Sequence, residues 1–127
     1  MAGLEWIIDA HGCDPAALRD RDRLQALFAR LIDELDLTPV AAPVWHTFPV
    51  PGGVTGFVML AESHLACHTF PEFGSICLNV FCCRPRPDWD AQRMLSTLLG
   101  AQEVEVRRLS RAYAPSSALH LETDGRA

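Results

Sequence analysis

Residues 54–83 read VTGFVMLAESHLACHTFPEFGSICLNVFCC, two stretches of strand character flanking a segment dense in reactive side chains. In VTGFVMLAE (54–62), Val54, Gly56, Val58 and Leu60 fall on one face of an extended chain. In SICLNVFCC (75–83), Ile76, Leu78, Val80 and Cys82 share one face, and Cys77, Asn79, Phe81 and Cys83 the other. Upstream, LEWIIDA (4–10) is a short apolar run ending at His11-Gly12, which predicts a strand and a turn. Asp14-Pro15 supplies a helix cap and a first helical residue. Leu24, Leu27, Phe28, Leu31, Ile32 and Leu35 follow helical spacing and predict a helix over about 20–36, ended by Thr38-Pro39. Residues 39–49 carry Pro39, Pro43 and Pro49, so an extended passage there belongs at a sheet edge. Downstream, Asp88 is the expected cap of a helix carrying Trp89, Met94, Leu95, Leu98 and Leu99, stopped by Gly100. QEVEVRRL (102–109) alternates as a last strand, and 115–127 is expected to be a loose polar tail. The expected fold is α/β in the α+β sense: one domain over 1–127, a two-layer sandwich with an antiparallel sheet and helices on one face.

Composition narrows the function. The chain has 127 residues, a formal net charge of -5 and no lysine, so a polynucleotide partner is not expected. No stretch approaches the roughly 20 apolar residues that span a bilayer, and MAGLEWIIDAHGCD lacks the pattern of a signal peptide. Five cysteines, Cys13, Cys67, Cys77, Cys82 and Cys83, show no disulfide framework, and a cytoplasmic location is expected. Cys13, Cys67, Cys77 and Cys82 read as small packing residues.

AESHLACHTFPEFG (61–74) admits three chemical readings. His64 and His68 have the H-x-x-x-H spacing that chelates one ion on a helix. In an extended chain the same four steps span roughly 13 Å, too far for a shared metal. No C-x-x-C pattern helps, and no metal is expected. A hydrolase built on Ser63 or Cys67 lacks the G-x-S-x-G elbow.

The third reading rests on resemblance. ESHLACHTFPE (62–72) is similar to the processing motif of the prokaryotic S-adenosylmethionine decarboxylase proenzymes, E-S-H, three residues, H-T, an aromatic residue, P-E. IIDAHGCDPAALRD (7–20) resembles that family's opening strand, turn and helix, and NVFCC (79–83) resembles its D-x-F-T-C strand. These matches cover about residues 4–110 in order, which a single short motif does not achieve.

The resemblance implies a self-cleaving precursor. Ser63 Oγ would attack the carbonyl of Glu62, and β-elimination from the ester would leave a pyruvoyl group at position 63. His68 matches the processing histidine, Thr55 stands where relatives carry a serine that bonds the ester, and Cys83 matches the general acid. The ketone would take the substrate amine as a Schiff base and act as an electron sink for decarboxylation. Phe48 or Phe70 would stack on adenine, and Glu72 would hold the ribose hydroxyls. The expected product is the aminopropyl donor of spermidine synthesis, and the expected assembly is a homodimer of cleaved pairs with sites near the subunit interface.

Two departures bear on substrate. Asn79 replaces the family's Asp, and Phe70 the more usual Trp, so arginine or ornithine stays open as a substrate. An uncleaved homologue kept as a binding or regulatory subunit is the non-enzymatic alternative. Ser63 and His68 are an odd number of residues apart, so the self-cleavage mechanism requires a bulge or bend, between them or at the processing point, to bring them together.

Overall fold

The computed structural model describes residues 2–115. Among these, six strands form one antiparallel sheet and three α-helices pack on one of its faces, in the expected two-layer α+β arrangement. The elements are β1 (Ala2–His11), α1 (Pro15–Arg19), α2 (Arg21–Glu34), β2 (Val44–Thr47), β3 (Val54–Met59), β4 (Ser63–Phe70), β5 (Ser75–Cys82), α3 (Ala91–Leu99) and β6 (Glu103–Ala112), with a 3-10 turn at Pro71–Phe73. The spatial order is β2-β3-β4-β5-β1-β6, so the first strand inserts between β5 and β6.

Alternation decides which side chains enter the core. Trp6, Ile8 and Ala10 from β1, Val54 and Val58 from β3, Leu65 and Cys67 from β4, and Ile76, Leu78, Val80 and Cys82 from β5 are buried. They meet Leu24, Leu27, Phe28 and Leu31 of α2 and Met94, Leu95 and Leu99 of α3 in one cluster. Each large apolar side chain buried in this way contributes roughly 1.5–3 kcal/mol. The opposite parity forms an open sheet face with no helix over it among the described residues, on which Phe57, Met59, Phe70 and Leu109 are exposed.

The helix boundaries sharpen the expectation at two places. Asp20 ends α1 and caps α2, its carboxylate accepting from Asp22 N at 3.0 Å and Arg23 N at 3.4 Å, so the stretch after Asp14-Pro15 is two helices. At α3 the cap is Asp90, which accepts from Arg93 N at 3.0 Å, rather than Asp88. Trp89 precedes that helix and packs against the core from outside it. The proline-rich passage becomes the edge strand β2, whose Trp45 lies over Gly56 and against Phe28, ring centroids 4.8 Å apart. Gly56 is required there, because a Cβ would collide with the indole. Cys13, Cys67 and Cys82 are buried as expected of packing residues; Cys77 is not, because its strand parity turns it to the open face. Apart from Pro115, the expected polar tail lies outside the described residues.

Candidate active site

Eight side chains carry the expected chemistry, and the fold gathers them into two groups. Thr55, His68, Phe48, Phe70 and Glu72 line one cleft of about 450 Å³, together with the Pro49–Pro51 loop, Gly53 and Thr69. Glu62, Ser63 and Cys83 sit together at the other end of β4.

The cleft is positioned by backbone register. Thr55 and His68 are direct cross-strand partners on β3 and β4, and Thr55 Oγ1 lies 3.2 Å from His68 Nδ1. Phe70 ends β4, and the 3-10 turn carries Glu72 past it, closed by Gly74 at φ 64°. The loop carrying Phe48 is held from both sides: Phe48 N donates to Gly53 O at 2.8 Å, and Arg19 Nε donates to Pro51 O at 2.7 Å. Beneath it the buried Thr69 hydroxyl donates to Leu18 O at 2.8 Å and accepts from Val54 N at 2.9 Å, tying α1, β3 and β4 into one floor. Phe48 and Phe70 remain half exposed or nearly so, with apolar faces available to a flat ligand.

The junction is built differently. Leu60 N donates to Ser63 O and Cys83 N donates to Glu62 O, both at 3.0 Å, so the turn between β3 and β4 is pinned to the end of β5. The Glu62 carbonyl therefore already accepts one N–H, at a distance suited to stabilising a developing oxyanion. Ser63 and Cys83 are half-buried. The Glu62 side chain is buried, accepting from Thr38 N at 3.1 Å and facing Arg86 at 3.5 Å and Arg84 at 3.8 Å. Burial pushes its carboxyl up, but the Thr38 hydrogen bonds, one from its own backbone and the Arg86 charge outweigh that and leave it below the usual carboxylate range. Thr38, Arg84 and Arg86 were not among the expected site residues. Two arginines directly after the cysteine strand are a signal in the sequence, although one that also suits a solvated loop.

The expected bulge between Ser63 and His68 does not occur. All eight residues of β4 pair consecutively with β5, and 64–68 pair consecutively with β3. Five residues of such a strand span roughly 16 Å. Ser63 also has the parity of the core-facing Leu65, Cys67 and Thr69, whereas His68 belongs to the open-face set with His64, Ala66 and Phe70. Within one chain, His68 and Ser63 do not meet.

His64 and His68 share the open face with different partners, Asn79 Oδ1 at 2.7 Å for the first and Thr55 for the second. Among the described residues, no group of three or more His, Cys, Asp or Glu is arranged to hold a metal ion, and no helix is long and apolar enough to cross a membrane.

Comparison with known proteins identifies the family. The family described as S-adenosylmethionine decarboxylase matches residues 4–112. An S-adenosylmethionine decarboxylase proenzyme of Pelotomaculum thermopropionicum is 35% identical over 118 residues, covering 92% of each chain. Its counterpart in Carboxydothermus hydrogenoformans is 33% identical over 125 residues, covering 94% of this chain and 97% of that one. The crystal structure of the adenosylmethionine decarboxylase from Aquifex aeolicus shares the fold, with a TM-score of 0.72 at 24% identity over 91% of this chain and 94% of that one. With a family match across nearly the whole described sheet and relatives aligned over nearly their full length, this chain belongs to the S-adenosylmethionine decarboxylase family.

Proposed function

We propose that the chain is the precursor of a pyruvoyl-dependent carboxy-lyase acting on S-adenosylmethionine, cleaved by its own Ser63 and completed by pairing with a second copy. The observation that carries the substrate reading is the cleft that holds Phe48, Phe70 and Glu72 beside His68 and Thr55. Aromatic faces suit both an adenine ring and a sulfonium cation, and a carboxylate suits the ribose hydroxyls. Asn79 does not line that cleft and is instead paired with His64.

In the cleavage step, Ser63 Oγ attacks the Glu62 carbonyl carbon while the Cys83 N–H holds the carbonyl oxygen. The C–N bond breaks as the acyl group moves to oxygen and the Ser63 nitrogen gains a proton. Loss of the Ser63 Cα proton then expels Glu62 as a chain-terminal α-carboxylate, and hydrolysis by water of the resulting enamine, through its imine, releases ammonia. The junction fits a pyruvoyl group derived from Ser63: the target carbonyl is polarised, and Cys83 sits directly beside it. That group supplies an electron sink for the pair of electrons left by departing carbon dioxide. Cys83 Sγ delivers the proton that the product carbon needs, Glu72 and the two phenylalanines orient the nucleoside end, and the Thr55 hydroxyl orients the His68 ring.

Because His68 lies roughly 16 Å from Ser63 in its own chain, it must act on the junction of another. Two open faces packed about 10 Å apart, as sheets pack, with their β4 strands antiparallel, set the backbone at Ser63 of one against the His68 side chain of the other. The exposed Phe57, Met59 and Leu109 supply apolar surface for such a homodimer. Five unpaired cysteines suit the cytoplasm.

The test is intact-mass analysis combined with carbon dioxide release from carboxyl-labelled S-adenosylmethionine, arginine and ornithine in parallel. Two fragments meeting at 62/63 and release from the first substrate alone are expected. A chain that stays full length would favour the binding homologue, and release from arginine or ornithine instead would overturn the substrate.

A further inference from the structure

A chain of polar side chains crosses four strands on the open face and ends on the residue that follows Ser63. His64 Nε2 lies 2.7 Å from Asn79 Oδ1, and Asn79 Nδ2 donates to Glu5 Oε2 at 2.6 Å. The other Glu5 oxygen is paired with Arg111, whose guanidinium also lies 5.6 Å from the Phe81 ring. Phe57 and Phe81 flank the His64 ring, each with its centroid 5.9 Å away. The Glu5 side chain is only 13% exposed, and the hydrogen bond from Asn79 leads the influences that hold its carboxyl below the usual range against the cost of burial.

The donor and acceptor count leaves one arrangement. An ionised carboxylate only accepts, so the Asn79 group facing Glu5 is its NH₂. The amide oxygen then faces His64, and an acceptor opposite Nε2 requires the proton to sit on Nε2. In its neutral form His64 then keeps its lone pair on Nδ1. Without the carboxylate, Asn79 is free to turn its amide around and hold the other tautomer equally well.

We propose that Glu5, two strands from His64, is a positioning residue for self-cleavage: through Asn79 it locks the Nε2–H tautomer of His64, the residue that follows the Glu62–Ser63 bond in the chain, and keeps Nδ1 as its proton-accepting nitrogen. The role rests on the reading of that bond as the cleavage point; the tautomer lock does not. The charge that Asn79 lacks is thereby supplied from β1, with Arg111 as its counter-ion.

The test reads tautomer and cleavage separately. Imidazole ¹⁵N shifts are recorded for His64 in full-length Ser63→Ala protein, which cannot cleave, and fragment formation is timed in the Ser63 background. The Nε2–H form is expected to dominate. Glu5→Gln should shift the tautomer ratio by about tenfold, to a near-even mixture, and slow cleavage about twofold, in step with the fall in the Nε2–H population. Asn79→Ala, which cuts the link while leaving Glu5 and Arg111 paired, should produce the same mixture. Moving the carboxylate one strand over, in Glu5→Gln with Asn79→Asp, should restore both the tautomer and the rate. An unchanged tautomer ratio in Glu5→Gln and Asn79→Ala, or a double variant that does not recover, overturns the proposal. A wild-type chain with the lock intact that never cleaves overturns the cleavage reading, and Glu5's role with it, but leaves the tautomer assignment standing.

Discussion

The cleft and the junction lie on the same strand and are held by opposite means. The cleft is a product of register: Thr55 faces His68 because β3 and β4 pair without a skip, and Phe48, Phe70 and Glu72 follow from where those strands end. The junction depends on contacts from far along the chain, with Thr38 and Arg86 closing on the Glu62 carboxylate and Cys83 on its carbonyl. Residues read as one constellation fall into two groups at opposite ends of β4, and the regularity that gathers the first keeps it from reaching the second. The family's order of residues is thus compatible with a site completed between chains.

Single substitutions separate the halves, and the largest effect belongs to the junction. Ser63→Ala should abolish cleavage completely, whereas Cys83→Ala should retain fragment formation while turnover on S-adenosylmethionine falls severely; intact mass and carbon dioxide release read the two outcomes. In the cleft, Glu72→Gln should leave cleavage intact and raise KM about tenfold with kcat little changed, the loss expected for one hydrogen bond to a charged acceptor. An equal fall in kcat instead would place Glu72 in the chemical step.

The smallest effect is in stability against pH. The Glu62 carboxyl is lowered in the folded chain, so the stability it contributes is present above the ordinary carboxylate pKa of about 4.3 and is lost as pH falls through the lowered folded value. In the uncleavable Ser63→Ala background, urea midpoints should fall between about pH 5 and pH 3 more steeply with Glu62 than with Gln at that position. Parallel curves would mean that the buried carboxylate is not coupled to folding.

The sequence was most legible where a local rule operates. Alternation placed Ile76, Leu78, Val80 and Cys82 in the core and sent Asn79 to the open face, as β5 has them. The ordered motifs named five residues that the structure brings to one cleft. What stayed hidden was long-range. Thr38 and Glu62 are 24 residues apart, and no local pattern announces their hydrogen bond. Asp88 and Asp90 are both capable caps around one tryptophan, and tertiary packing of Trp89 decides between them. The bulge expected between Ser63 and His68 assumed that one chain holds the whole site; two flanking strands paired in register remove any room for it.

The central claim is that His68 serves the junction of a second chain, and mixing two inactive variants tests it most directly. His68→Ala protein, which retains Ser63, should remain uncleaved alone and become cleaved when co-expressed with Ser63→Ala protein, which supplies an intact Thr55–His68 pair. Fragments derived from the His68→Ala chain, read by mass, are the predicted result. A His68→Ala chain that stays whole in a demonstrated mixed dimer, or that cleaves at the wild-type rate by itself, would contradict the account.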